Sequence, residues 1–408
     1  MKPLNIKTTV LFYLAGIAVI HLVVLWNVRQ MIWKGYSDFT IYYCAGTMVR
    51  QGHGHDLYDD VAQFKVQREF APEVATRLGA LPYNHPPFEA VLFTPLTYLP
   101  YSVAFVFWDA LNLAMLAVLP FLLLPQMLQL QDYPWPLWIL VSLTFFPVFF
   151  ALLQGQDSIL LLFLYTLGFV DLAKRHDARA GGWLALGLFK PHLVVPFILF
   201  MLLCGRKKIL SGFLAAAAAL GLLSTAIVGW QGLISYPRYV LNLEATMARG
   251  AIVPSDMPNL RGVLYLLLRG WPHVGVVTVA FSACIFLLGV WQSHKLDSAI
   301  LFDWQFAFAV VTTVIVSYHC LGYDLSILIL PVVLLCNEIR RGSRFREWSS
   351  IVIVIAVSLL FFSPLQLLLL LRFNRLALVG WVVLLLTTGI AGQISARTRL
   401  DSLNPSTP

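Results

Sequence analysis

Acidic, amide and imidazole side chains recur in this sequence near the ends of long apolar runs. They are Asp38, Asp56, Asp59, Asp60, His85, Gln154, Gln156, Asp157, His319 and Asp324. Gathered at one face of a fold, they would offer many hydrogen-bond donors and acceptors. Such a set suits a polyhydroxylated substrate, and a carboxylate within it could act as a general base.

Several common catalytic patterns are missing from the sequence. It lacks a Walker loop, a His-Glu-x-x-His zinc-protease pattern and a Gly-x-Ser-x-Gly elbow, which leaves transport or lipid-linked group transfer. The cysteines show no zinc or thioredoxin spacing, and we interpret them as small apolar helix residues. A disulfide between Cys44 and Cys320 is conceivable.

The composition places these side chains in a membrane protein. Of the 408 residues, 59% are hydrophobic and only 12% are charged, whereas soluble domains are about 25% charged. Apolar runs long enough to cross a bilayer core of roughly 30 Å recur along the chain. We predict ten crossings, at residues 9–28, 102–124, 137–153, 157–172, 209–229, 273–292, 300–317, 323–337, 348–363 and 375–393.

Basic residues predict the orientation. With a cytoplasmic N-terminus, the inside segments are the basic connections "AKRHDARAGG", "CGRKK", "SHKLDS" and "NEIRRGSRFREW" and the tail "SARTRL". The turns "QGQDS" and "SYHCLGYD" lie outside and contain no Lys or Arg. The net charge of +8 is then explained by topology and by contact with anionic lipid headgroups. We expect no nucleic acid and no required protein partner.

Residues 181–208 do not fit a simple crossing, because basic residues flank the segment and Lys190-Pro191 interrupts it. We predict a re-entrant pair of short helices that bends at this dipeptide, since broken backbone is tolerated only inside protein or beside water. Lys190 then either faces a cavity or extends to the membrane interface.

Two longer segments, 30–100 and 230–272, are predicted to be extracytoplasmic. The first contains "YDDVAQFKVQREFAPEVATRL", which predicts an amphipathic helix on the membrane surface. In "LYDD", Asp59 and Asp60 are interpreted as a helix cap or surface residues. No second domain is evident, so we expect one domain over residues 1–408.

Five motifs occur in a recognisable order. They are "SDFTIYYCAG…QGHGHDLYDD", "YNHPPFEAVLFTPLTYLP", "LLQGQDSILLLFL", "GGWLALGLFKPHLVVPFIL" and "SYHCLGYDLSILILP". In sequence and spacing, roughly residues 30–340 resemble the family 87 membrane glycosyltransferases. The resemblance implies an all-α, polytopic GT-C-like bundle of about 10–12 transmembrane or re-entrant helices with a long first extracytoplasmic loop.

The resemblance also implies an activity: transfer of a hexose, with mannose the natural choice, from a polyprenyl-phosphate donor to an extracytoplasmic lipid or glycan acceptor. The protein would lie in the inner (plasma) membrane, with its active site on the extracytoplasmic side. Asp38 matches the family's general base, which takes the acceptor proton during an inverting transfer through an oxocarbenium-like transition state. As an alternative, Asp38 caps the helix that follows it.

The leaving lipid phosphate gains negative charge and calls for cationic or donor groups. His319 is the first candidate, Lys190 the second and Arg261 the third, although His319 could equally be a structural histidine. The remaining candidates would hold the sugar or shape the donor groove, and those of "QGQDS" could instead be turn residues. They are Tyr42, His85, Gln154, Gln156 and Asp157.

We expect no metal and no cofactor, because one or two cationic side chains can bind a monophosphate donor. A secondary transporter or flippase is the main alternative function, although transporters usually contain paired repeats with binding groups near the bilayer midplane. A non-catalytic lipid-binding subunit is a further alternative, and it would not need Asp38.

Overall fold

The protein is all-helical over the part of the chain that the structure describes. This computed structural model describes residues 6–71, 73, 81–246, 253–294, 302–341 and 347–403, and these residues contain no β-strand. Parts of the predicted basic connections, including residues 295–300 and 342–346, and residues 300 and 301 of the seventh predicted crossing lie outside the described residues.

Among the described residues, six helices are long and apolar enough to cross a membrane, and two bent helix pairs bring the number to eight if each pair is one span. Three further apolar helices are shorter. The ten predicted crossings all fall on these elements, which confirms the all-α, polytopic membrane fold. They do not all fall on long helices, so the prediction of ten simple crossings was too regular.

Where the structure describes it, the N-terminal half contains ten α-helices. They are α1 (Ile6–Trp33), α2 (Phe39–Arg50), α3 (Asp60–Phe70), α4 (Pro87–Phe93), α5 (Tyr101–Leu123), α6 (Trp135–Thr144), α7 (Phe146–Gln154), α8 (Ser158–Ala173), α9 (Asp177–Leu186) and α10 (Pro191–Leu203).

The C-terminal half contains eight more. They are α11 (Ile209–Thr246), α12 (Leu260–Leu267), α13 (Val274–Ser293), α14 (Phe302–Val316), α15 (Ile329–Arg340), α16 (Glu347–Leu360), α17 (Ser363–Leu368) and α18 (Val379–Leu403). A 3₁₀ segment, Gly322–Leu328, leads directly into α15.

The third predicted crossing is broken at Phe145, where α6 and α7 meet at 74°. Phe145 has an extended ψ of 113°, and Pro147 follows near the start of α7. Proline has no N–H to donate and its ring clashes with the preceding turn, so the sequence "TFFPVFF" stops one helix and starts another. This bend brings the end of α7 to the turn "QGQDS".

The predicted interruption at Lys190-Pro191 is confirmed as a break between helices. Lys190 has non-helical backbone angles (φ −120°, ψ 69°), and Pro191 is the first residue of α10. The Lys190 side chain is buried, with 3% of its surface exposed. This burial excludes the alternative in which Lys190 extends to the interface.

The first predicted loop is a folded unit of helices α2, α3 and α4 with short 3₁₀ turns. Its aromatic core includes Tyr42, which stacks on Phe93 with 4.6 Å between ring centroids. Tyr236 and Tyr239 of α11 contact this unit, since the Tyr239 hydroxyl donates to Asp60 at 3.0 Å and the Tyr236 hydroxyl donates to the carbonyl of Asn84 at 3.3 Å. The two predicted extracytoplasmic segments therefore pack together.

Asp59 of "LYDD" is a helix cap, as predicted. It is the N-cap of α3, and its carboxylate accepts from the backbone N–H groups of Val61 and Ala62 at 2.8 Å. The α3 helix lies within the segment predicted to form an amphipathic helix, and residues 72 and 74–78 of that segment lie outside the described residues. All five cysteines are free, including Cys44 and Cys320, so the conceivable disulfide between them is not formed.

Candidate active site

A cavity of about 410 Å³ lies between the two predicted extracytoplasmic segments and the helix ends beside them. Cavities of this size accommodate small ligands. Its walls contain six of the side chains that the sequence analysis named, together with several others. The six are Asp38, His85, Gln156, Lys190, His319 and Asp324, and the main additional polar residues are Asn84, His192, Tyr236 and Tyr323.

Asp38 is at the N-terminus of α2, but its side chain makes no capping hydrogen bond. Instead, its Oδ2 accepts from Gln156 Nε2 at 2.7 Å. The Asp38 backbone N–H donates to Gln154 Oε1 at 3.1 Å. The alternative in which the carboxylate caps α2 is therefore wrong, and the two glutamines of "QGQDS" hold both the backbone and the side chain of Asp38.

Gln156 has a fixed orientation. Its amide oxygen accepts from the Tyr42 hydroxyl at 2.6 Å and from Lys190 Nζ at 3.4 Å. Because two donors contact the oxygen, the amide nitrogen is left to face Asp38. Gln156 thus connects Asp38 on one side with Tyr42 and Lys190 on the other.

The turn that carries Gln156 depends on Gly155. This residue has a left-handed backbone (φ +60°), and an added Cβ would lie 2.8 Å from both Phe39 and Phe105. The Gly155 carbonyl accepts from Trp108 Nε1 at 3.1 Å. Only glycine fits both the backbone angles and the space, so "QGQDS" is a constrained turn.

Lys190 is the centre of a buried ionic cluster. Its Nζ lies 2.8 Å from Asp157 Oδ1 and 2.6 Å from Asp324 Oδ1, and it also donates to Ser158 Oγ at 2.8 Å. The Asp324 carboxylate accepts from the backbone N–H of Leu321 at 2.8 Å. These contacts join the break before α10, the start of α8 and the 3₁₀ segment before α15.

Imidazole groups occupy two positions on the cavity wall. His319 is close to His192, with 5.3 Å between their ring centroids. His85 lies against Tyr42, with 5.0 Å between ring centroids. Burial lowers the pKa of His85 to about 4, so its ring is neutral at physiological pH.

Four predicted residues, Tyr42, Gln154, Asp157 and Arg261, do not line the cavity. The Asp157 side chain is fully buried behind Lys190. The Arg261 guanidinium donates to the Tyr318 carbonyl at 3.0 Å and lies 3.9 Å from the centroid of the Tyr318 ring, and Tyr318 lines the cavity.

Glu89 and His192 were missed in the sequence, although both belong to motifs already noted. Glu89 follows His85 by four residues in "YNHPPFEA", and its carboxylate Oε2 lies 2.8 Å from His85 Nδ1. Burial raises the pKa of Glu89 well above its usual range, and the neighbouring Asp157 carboxylate raises it further. The i, i+4 spacing was the available signal for Glu89, and the position two residues after Lys190 was the signal for His192.

The sequence model of glycosyltransferase family 87 matches residues 83–364, which is more than half of the chain. Comparisons with curated proteins and with solved structures found no match. The matched segment includes His85, Gln156, Lys190 and His319, whereas Asp38 precedes it and joins it through the contact with Gln156. The chain therefore belongs to glycosyltransferase family 87 and is a membrane glycosyltransferase.

Proposed function

We propose that this glycosyltransferase transfers mannose, a hexose, from a polyprenyl-phosphate donor to an extracytoplasmic lipid or glycan acceptor. The transfer inverts the configuration of the anomeric carbon. Asp38 acts as the general base that removes the acceptor hydroxyl proton. The observation that carries this proposal is the placement of the Asp38 carboxylate on the cavity wall, held by Gln156 Nε2 at 2.7 Å. A base must be held where an acceptor hydroxyl can approach it.

His319 is proposed to contact the donor phosphate, because it lines the same cavity as Asp38. Lys190 also lines that cavity, but its ammonium group already contacts Asp157, Asp324 and Ser158. Lys190 therefore contributes its positive charge to the cavity while it holds these partners in place. Hydrogen bonds and positive charge near the leaving phosphate stabilise the charge that develops there.

The other predicted residues are proposed to shape the sugar site. Gln154 and Gln156 position Asp38 and present amide groups to sugar hydroxyls, and Tyr42 fixes the orientation of Gln156. Asp157 holds Lys190, and Arg261 supports the Tyr318 wall of the cavity. These assignments divide the predicted set into residues at the cavity and residues that support them.

A direct test uses the purified full-length protein in detergent with labelled mannosyl, glucosyl and arabinosyl polyprenyl phosphates. We expect transfer from the mannosyl donor, and release of polyprenyl phosphate in equal amount to the product. The acceptor can be a crude membrane-lipid extract, because only the appearance of label in a new glycan or lipid is scored. Movement of an intact donor across vesicles without any transfer would instead support the flippase alternative.

The protein is proposed to lie in the inner (plasma) membrane with the cavity on the extracytoplasmic side. Two exposed residues report on this topology: His53 in the first predicted extracytoplasmic segment and Arg175 between α8 and α9. With exposed Cys284 and Cys336 changed to Ser, an impermeant thiol reagent added to intact cells should label His53→Cys and not Arg175→Cys. Labelling of Arg175→Cys without His53→Cys would reverse the proposed orientation.

A further inference from the structure

Three side chains converge at the edge of the cavity, where α4 meets the α7–α8 turn: His85, which lines the cavity, and the buried Glu89 and Asp157, together called the HED cluster. His85 Nδ1 lies 2.8 Å from Glu89 Oε2 and 3.9 Å from Asp157 Oδ2. If one ligand atom is taken from each residue, all three atoms lie within 4.8 Å of one another. Atoms that ligate one ion at about 2.0–2.3 Å are themselves roughly 3–4 Å apart, so the spacing suits a shared metal ion.

Some polar atoms of the HED cluster are left without a partner. Asp157 Oδ1 lies 2.8 Å from Lys190 Nζ, and His85 Nδ1 lies 2.8 Å from Glu89 Oε2. Among the residues that the structure describes, Glu89 Oε1 and Asp157 Oδ2 are buried and have no hydrogen-bond partner. The Glu89 and Asp157 side chains are fully buried. Unpaired groups of this kind cost free energy when they are removed from water, which requires an explanation.

Carboxyl groups outnumber ammonium groups around the cluster. Lys190 Nζ contacts Asp157 and Asp324, and Glu89 is a third buried carboxyl group in the same region. A divalent cation held by Glu89 and Asp157 would add positive charge to this region.

We propose that the HED cluster binds one divalent metal ion through His85 Nδ1 and the carboxylates of Glu89 and Asp157. Ca²⁺ and Mg²⁺ typically bind to oxygen ligands alone. Two carboxylates with one imidazole therefore suit Mn²⁺ or Zn²⁺ better. The ion would fasten the segment "YNHPP" to the turn "QGQDS", the turn that positions Asp38. This role differs from binding the donor phosphate, for which cationic side chains were expected to suffice without a metal.

The test is a binding measurement that does not depend on turnover or on the proposed donor. Full-length protein in detergent is stripped with a chelator, dialysed and titrated with Mn²⁺, and bound ion is measured by electron paramagnetic resonance. We expect one tight site per chain. Glu89→Gln keeps the side-chain shape but removes the charge, and it should weaken Mn²⁺ binding at least about tenfold.

Asp56→Asn is the matched control, because His53 and Asp56 form an exposed histidine–carboxylate pair at 3.7 Å in the same segment. Its Mn²⁺ affinity should equal that of the wild type. The wild-type titration decides the proposal even if Glu89→Gln fails to fold. Absence of a tight Mn²⁺ site in the wild type would overturn the metal site. An infrared band of a protonated carboxyl group that disappears in Glu89→Gln would then show that the cluster holds a proton instead.

Discussion

Replacing Asp38 by Asn is expected to lower the turnover of the transferase by at least about 10²-fold, the contribution typical of a general base. Asparagine has nearly the same shape as aspartate, and Gln156 Nε2 can still donate to its side-chain oxygen, as it does now to Asp38 Oδ2 at 2.7 Å. The amide of asparagine cannot take the proton from the hydroxyl group of the acceptor substrate. The fold and the donor affinity should therefore be kept while the chemical step is lost.

The measurement is steady-state kinetics with a labelled mannosyl polyprenyl phosphate, alongside thermal unfolding of each variant. Asp59→Asn is the matched control, because Asp59 lies in the same segment and caps α3 through Val61 and Ala62. Asparagine is also a good N-cap, so this variant should retain wild-type turnover and stability. If Asp38→Asn keeps more than about half of the wild-type turnover, Asp38 is not the base.

His319→Ala provides a contrast that separates the two roles at one cavity. A group that contacts the donor phosphate in both the ground state and the transition state affects KM as well as kcat. Loss of a hydrogen bond to a charged group costs roughly ten- to a hundredfold in binding, so the donor KM should rise in this variant and not in Asp38→Asn. A fall in kcat with an unchanged donor KM would argue against contact between His319 and the phosphate.

The broad fold could be predicted because its signals are local. Runs of apolar residues predicted the helices, and proline predicted the break at Lys190. The break at Phe145 was missed even though Pro147 is visible in the sequence, because the surrounding run is apolar enough to resemble one continuous crossing. Hydropathy is averaged over such a window, so it does not show the 74° bend between α6 and α7.

The partners within the site could not be predicted, because they are set by tertiary packing. Lys190 contacts Asp324, 134 residues away, and Gln156 contacts Asp38, 118 residues away. The sequence identified these residues individually but gave no means of pairing them. Asp38 was predicted to be the general base or, alternatively, a helix cap, and the position of Gln156, which excludes the cap, could not be foreseen.

The second large effect is expected from Lys190→Met, which should lower the free energy of unfolding by about 3–5 kcal/mol, as is typical when one partner of a buried ion pair is removed. Methionine replaces the apolar stem of Lys190 but not its charge. Asp157 and Asp324, which now lie 2.8 and 2.6 Å from the ammonium group, would be left buried without it. Thermal unfolding in detergent should show a clear fall in the midpoint.

Two comparisons make the cause specific. Lys34→Met removes an exposed pair with Glu73, in which both side chains are about half exposed, and exposed pairs contribute little. Adding Asp324→Asn to Lys190→Met removes one of the uncompensated charges and should restore part of the lost stability, because the two residues interact directly.

The same variants decide how Lys190 serves the reaction. If its main role is to hold Asp157, Asp324 and Gln156 in place, Lys190→Met should lower stability and turnover together, and the added Asp324→Asn should recover stability more than activity. If Lys190 instead binds the donor phosphate directly, Lys190→Met would raise the donor KM while its unfolding midpoint stays close to that of Lys34→Met. The observed ion pairs favour the first outcome, since the ammonium group would have to leave Asp157 or Asp324 to reach a phosphate.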